Sequence, residues 1–302
     1  MKYENFNIKE HGFVGHLAEP EQETKFAVIV IMGGEKSIFP GIKIAERFAD
    51  YGIMGISVSL FGAEGLPDGV DRIPVDMFEN TVQYLREVKH IESISVYGVS
   101  MGSLFAALVA KYIGGIDKVI LVSPSHVPFE GTIDKKHMTG HSMATWKGKE
   151  LPFVRPNFLN VKATRYMYDA EADRKVMGMW VAYRDAYKNK KMEQIADIHI
   201  EELNAKILMI AGTGDEAWPS DYSVSYLKQR LEAAKYKYDY KAIIYPNASH
   251  LIGIMPSKER NKWLYRMIPF IGIIYRSMLI HRYDCLNTFE DSEKEIIEWI
   301  KK

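Results

Sequence analysis

The sequence predicts an α/β protein built on a mostly parallel, doubly wound sheet. Two observations carry that expectation. Short apolar runs rich in β-branched residues recur along the chain, and amphipathic stretches of helical period lie between them. The runs are Phe26–Ile31, Ile53–Val58, Ile94–Tyr97, Val119–Val122, Ile207–Ile210 and Ala242–Tyr245, each bounded by turn formers. A segment near Phe13–Leu17 reads as an antiparallel edge strand. Helical patterns follow around Ile42–Tyr51, Val75–Lys89, Ser103–Ile113, Asp221–Lys235 and Ser292–Lys301. In the last of these, Ile296, Ile297 and Ile300 share one face opposite charged residues, the mark of a helix closing one side of a sheet.

Two stretches break the alternation. Residues 126–204 are too many for a plain loop. They hold Gly140–Trp146 and a helical pattern from about Met177 to Lys190, with Met177, Met179, Trp180, Tyr183 and Tyr187 as apolar candidates for a ligand pocket or for simple packing. An insertion at this point of such a sheet is expected to cap the C-terminal strand ends, where ligands bind. The second stretch, about 256–282, contains the apolar run Trp263–Ile280. Arg266 and Arg276 interrupt it with nine residues between them, too few to cross a bilayer, so it reads as a buried or lid-forming element. The expected organisation is one domain over 1–302 with these two insertions.

Composition narrows the function. Of 302 residues, 47% are hydrophobic and 26% charged, which disfavours a disordered chain. Thirty-nine basic residues balance thirty-nine acidic ones, leaving no global field to hold a nucleic-acid backbone. Nucleic acid and stable membrane insertion are therefore not expected, and composition is silent on oligomeric state. The single Cys285 has no partner for an intramolecular disulfide, and no Cys/His cluster has zinc-ligand spacing, so no metal or other cofactor is expected. The opening run Met1–Asn7 lacks the apolar region of a secretion signal, from which a cytoplasmic, unprocessed protein is expected.

The chemistry-bearing signal is Gly98-Val99-Ser100-Met101-Gly102, placed after an expected strand and opening an expected helix. A sharp strand-to-helix turn crowds its central residue, and small residues two positions to either side leave room for it. Ser100 would then stand exposed above the sheet at a helix N-terminus, where free amides favour negative charge. A serine nucleophile needs a base and an orienting acid. After Ile207–Ile210 comes Gly212-Thr213-Gly214-Asp215-Glu216, and after Ala242–Tyr245 comes Pro246-Asn247-Ala248-Ser249-His250. The chain order Ser100, Asp215, His250, each after its own strand, is that of the α/β-hydrolase fold. Asp215 also reads as a turn-forming acid ahead of Pro219, with Glu216 a weaker substitute for it. The oxyanion hole is expected from the amide of Met101 and an amide of Gly34 or Glu35, where Gly33-Gly34 lets the backbone approach a bound carbonyl.

These residues resemble the C-terminal catalytic domain shared by acyl-CoA thioesterases and bile acid-CoA:amino acid N-acyltransferases, a branch near the dienelactone hydrolases. The resemblance rests on Gly33-Gly34-Glu35, Leu60–Pro67, Ile73–Glu79, Gly98–Gly102, Ser123-Pro124-Ser125, Trp146–Phe153, Gly214–Ser220 and Tyr245–His250, and covers about residues 25–300. It implies Ser100 as nucleophile, Asp215 as acid and His250 as base. Animal members carry an additional N-terminal β-sandwich, for which the residues before Phe26 are too few. Conjugating members use cysteine where this chain has Ser100, which favours water as the acyl acceptor. The expected function is hydrolysis of acyl thioesters or carboxylic esters through an acyl-enzyme. Alternatives are acyl transfer to an amine or alcohol, and a hydrolase fold that only binds a ligand.

Overall fold

The strand Phe26–Ile31 shows how the sheet is made. Its side chains divide by the two-residue period of a strand: Ala27, Ile29 and Ile31 enter one core, Val28 and Val30 the other. The same division runs through Lys206–Gly212, where Ile207, Met209 and Ala211 oppose Leu208 and Ile210. A strand covered on both faces needs apolar residues at every position, which is why these runs are unbroken.

The computed structural model describes residues 1–133, 137–158, 162–254 and 270–302. Eight strands form the main sheet: β1 (Lys2–Phe6), β2 (Gly15–Glu19), β3 (Phe26–Ile31), β4 (Met54–Val58), β5 (Ser93–Val99), β6 (Lys118–Val122), β7 (Lys206–Gly212) and β8 (Tyr240–Tyr245). They lie side by side as β1-β2-β4-β3-β5-β6-β7-β8. β2 runs antiparallel to both its neighbours, and every pairing from β4 to β8 is parallel. The antiparallel strand expected near Phe13–Leu17 is thus β2, and it is not the edge. β1 flanks it, a strand with no sequence signal because only Phe6 of its five residues is buried.

The helices cover both faces. α1 (Phe39–Asp50) lies on the second core through Ile44, Ala45 and Phe48. α2 (Met77–Gln83) and α3 (Met101–Tyr112) lie on the first core. α4 (Gly178–Ala186) and α5 (Lys190–Ala196) belong to the stretch between β6 and β7. α6 (Ser220–Ala233) returns to the first core through Val224, Leu227 and Leu231. α7 (Arg282–Lys301) places Ile296, Ile297 and Ile300 on the second. It starts ten residues before the expected boundary, because Cys285, Leu286 and Phe289 in its first half serve a separate small cluster with Met278.

The stretch between β6 and β7 has two parts. In the first, Ala144–Trp146 pairs with Lys149–Glu150 and, in parallel, with Ile73–Pro74, so it is stitched to the segment after β4. In the second, a hairpin of Tyr166–Asp169 and Arg174–Met177 leads into α4. Of the expected apolar segment Trp263–Ile280, residues up to 269 lie outside the described ones; 270–274 are helical and Ser277–Ile280 forms a further turn. Among the described residues no helix is long and apolar enough to cross a membrane.

Candidate active site

Ser100 sits between the last residue of β5 and the first of α3 with φ 58° and ψ −125°. A non-glycine residue held there stores roughly 1–3 kcal/mol of backbone strain. The flanking glycines explain how the turn closes. A Cβ on Gly98 would stand 2.2 Å from the carbonyl oxygen of Gly102, and one on Gly102 would stand 2.1 Å from that of Ile31. The helix therefore seats directly on the ends of β3 and β5, and the spacing read in the sequence is a steric requirement. The Ser100 amide donates to Val122 O at 2.9 Å, and the Ser103 hydroxyl donates to Ser100 O at 2.6 Å.

From this turn a hydrogen-bonded relay runs through three loops. Ser100 Oγ lies 2.9 Å from His250 Nε2, and His250 Nδ1 lies 2.8 Å from Asp215 Oδ2. The carboxylate can only accept, so Nδ1 carries the proton and Nε2 is left to accept from the serine. Asp215 is fully buried and His250 nearly so. The acid is held from several sides: Ser220 Oγ donates to Oδ2 at 2.6 Å, and the amides of Ala217 and Trp218 donate to Oδ1 at 2.9 and 3.3 Å. One Asp215 oxygen thus organises the turn and the other faces the imidazole. Trp218 meets the imidazole edge-on at 5.6 Å, and Tyr275 stacks on it at 5.7 Å.

Met101 opens α3, so its amide has no carbonyl one turn back to bond. The loop after β3 reaches the serine through Gly33. A Cβ there would stand 3.2 Å from Ser100 Cβ and 3.5 Å from its Oγ. Sequence reasoning named Gly34 and Glu35 and passed over Gly33, although the double glycine was the signal. Ser220, Trp218 and Tyr275 were also missed as neighbours of the relay.

Glu216 does not substitute for Asp215. It is buried, which pushes its carboxyl above the ordinary range, and it accepts from the Ser277 amide at 3.2 Å. Arg174 donates to the Asp215 main-chain oxygen at 2.7 Å, joining the stretch between β6 and β7 to the acid loop. Beyond that loop lies a cavity of about 940 Å³ whose lining includes Arg174, Trp180, Tyr187, Gly214, Glu216 and Ser277. Neither Ser100 nor His250 is among its described lining residues. Of the apolar candidates, Trp180 and Tyr187 face the cavity, whereas Tyr183 packs edge-on against Trp218 at 5.4 Å. Among the described residues no cluster of His, Cys, Asp or Glu has the make-up of a metal site.

A family model described as "BAAT / Acyl-CoA thioester hydrolase C terminal" matches residues 73–260, more than half of the chain. Acyl-coenzyme A thioesterase 1 of Rattus norvegicus is 23% identical over 247 residues, covering 77% of this chain and 53% of that protein. The chain spans about half the length of the curated relatives it matches. A Klebsiella pneumoniae structure assigned to the dienelactone hydrolases aligns over 100% of this chain and 98% of its own, with a TM-score of 0.53 and 14% identity. An esterase from the archaeon Pyrobaculum calidifontis aligns over 99% of this chain and 85% of its own, again with a TM-score of 0.53 and 14% identity. At such identities the likeness is one of fold, and that fold is the α/β-hydrolase fold expected from the sequence.

Proposed function

The chain belongs to the family described as BAAT / acyl-CoA thioester hydrolase C terminal, and from that premise we propose that it is a serine hydrolase of acyl thioesters or carboxylic esters. The observation that carries the reading is the unbroken relay from Asp215 through His250 to the strained Ser100. In this mechanism His250 Nε2 takes the hydroxyl proton as Ser100 Oγ attacks the substrate carbonyl. Asp215 holds the imidazole in the tautomer that accepts at Nε2 and stabilises the imidazolium that forms. The negative charge on the carbonyl oxygen meets the Met101 amide and an amide of the Gly33-Gly34-Glu35 loop, each donor worth about 3 kcal/mol by comparison with known oxyanion holes. His250 then returns its proton to the departing thiol or alcohol. Water, deprotonated by His250, cleaves the acyl-enzyme and frees the acid.

Residues 126–204 act in this proposal as a cap. The support is their contact with the site: Arg174 on the acid loop and Tyr183 against Trp218. The whole chain works as one domain without a metal or organic cofactor, because the relay generates its own nucleophile.

The decisive experiment measures kcat/KM on matched acyl-CoA thioesters and oxoesters of several chain lengths, with Ser100→Ala alongside. Thioester preference lost in the variant supports the thioesterase reading. Faster turnover of oxoesters, indifferent to the CoA portion, makes the protein a carboxylesterase. Wild-type turnover in the variant removes the serine mechanism altogether.

A further inference from the structure

Large apolar side chains are exposed unevenly over this molecule. Of the fifteen exposed among the described residues, six fall between 270 and 283: Phe270, Ile273, Ile274, Leu279, Ile280 and Tyr283. Ile273 and Tyr283 are 75% and 77% exposed. Soluble surfaces scatter such residues singly, so a cluster requires an explanation. Two short helical pieces carry five of them and pack together: a Cβ on Gly272 would stand 2.2 Å from Leu279 Cγ. Those five side chains therefore sit on adjoining turns, and Tyr283 follows at the start of α7.

Charge identifies what covers this surface. The whole chain is neutral, yet the described residues 270–282 carry Arg276, His281 and Arg282 and no Asp or Glu. Arg276 and His281 stand among the apolar residues, and both also line the 940 Å³ cavity together with Ile280 and the exposed Lys175. Arg184, Lys188 and Lys190 on the same cavity are spent on Asp169, Glu171, Asp185 and Glu193. Arg276 and Lys175 make no ion pair among the described residues. Apolar side chains bordered by such cations are the composition of an interfacial segment, in which the apolar groups enter the acyl boundary and the cations meet lipid phosphates.

We propose that the face carrying Phe270, Ile273, Ile274, Leu279, Ile280 and Tyr283 docks the protein on an anionic lipid surface, with Arg276 and Lys175 reading the headgroup charge. The face is continuous with the relay, since Tyr275 stacks on His250 and the Ser277 hydroxyl donates to Gly214 O at 2.7 Å. If the hydrolase reading holds, docking brings the site to where long-chain acyl compounds partition. Docking itself does not rest on that reading.

The test sediments full-length Ser100→Ala protein with vesicles of phosphatidylcholine alone and of equal parts phosphatidylcholine and phosphatidylglycerol, so turnover plays no part. Binding is expected to the mixed vesicles and not the neutral ones, and high salt should reverse it. Ile273→Asp combined with Ile280→Asp should lower partitioning at least about tenfold. Lys175→Gln and Arg276→Gln should each lower it about fivefold on the anionic vesicles alone. Circular dichroism and the unfolding midpoint check that the variants fold. Absence of binding, or equal binding of both vesicle types and all variants, overturns the proposal. So does a concentration-dependent dimer dispersed by the Ile273→Asp/Ile280→Asp pair, which gives the face to a second copy of the chain.

Discussion

Among the described residues two Ser-His-acid hydrogen-bond chains occur, and they are built to opposite ends. In the first, His250 joins Ser100 at 2.9 Å and Asp215 at 2.8 Å. In the second, His126 joins Ser223 at 3.0 Å and Glu193 at 3.1 Å. Distances alone do not separate them. Surroundings do: His126 and Ser223 are fully buried, and the imidazole is walled by Tyr187, Tyr222 and Tyr226. Ser223 lies within the regular helix α6, whereas Ser100 is forced into a left-handed turn at the head of α3. The second chain ties α5, through Glu193, to α6 and to the loop after β6. It is a rivet, and the lesson is that strain and position separate two serines that share the same kind of hydrogen-bond partners.

The comparison is sharpest at the two serines. Ser100→Ala should cut kcat/KM by at least about 10³-fold. Ser223→Ala should leave turnover nearly untouched while removing about 1–3 kcal/mol of stability, because His126 Nδ1 loses its partner in a dry interior. Paired chemical denaturation and steady-state kinetics on both variants check this, and a catalytic loss at Ser223 would dissolve the distinction. Next come the acids. Asp215→Asn should lower kcat on the order of 10⁴-fold by presenting the wrong tautomer of His250, against a small change in kcat and a lower unfolding midpoint for Glu193→Gln.

The smallest expected effect is in pH. Burial holds the His126 imidazole below its ordinary value of 6.5, outweighing the opposing pull of Glu193 and Asp197. The folded state then binds fewer protons than the unfolded one just below that pH, so stability should fall as the pH drops below 6.5 and level off once the folded value is passed. His126→Gln should flatten that slope in unfolding midpoints measured across the range. An unchanged slope would move the titration to another group.

The first relay was legible in the sequence and the second was not, for a physical reason. Gly98 and Gly102 are demanded by backbone atoms within 2.2 Å of where a side chain would begin, so the turn leaves a mark that composition does not blur. Asp215 follows Lys206–Gly212, whose unbroken apolar run comes from burial on both faces, and His250 follows the edge strand Tyr240–Tyr245, where the shorter run Ala242–Tyr245 still marks the element. Ser223, Glu193 and His126 sit in ordinary helix and loop, and tertiary packing alone assembles them. β1 escaped notice for the converse reason, since an exposed edge strand such as Lys2–Phe6 needs few apolar residues. The early start of α7 was hidden because Cys285, Leu286 and Phe289 serve a local cluster and not the main face.

One consequence follows from the span of the first relay for the life of the nascent chain. Ser100 is made 150 residues before the imidazole it meets in the folded protein. At ribosomal speeds that interval is on the order of ten seconds. Through it the elbow can form with β3 and β5, yet the hydroxyl remains an ordinary alcohol. The enzyme proposed above is thus born inert and is armed by its own last strand, once β8 docks beside β7 and carries His250 into place.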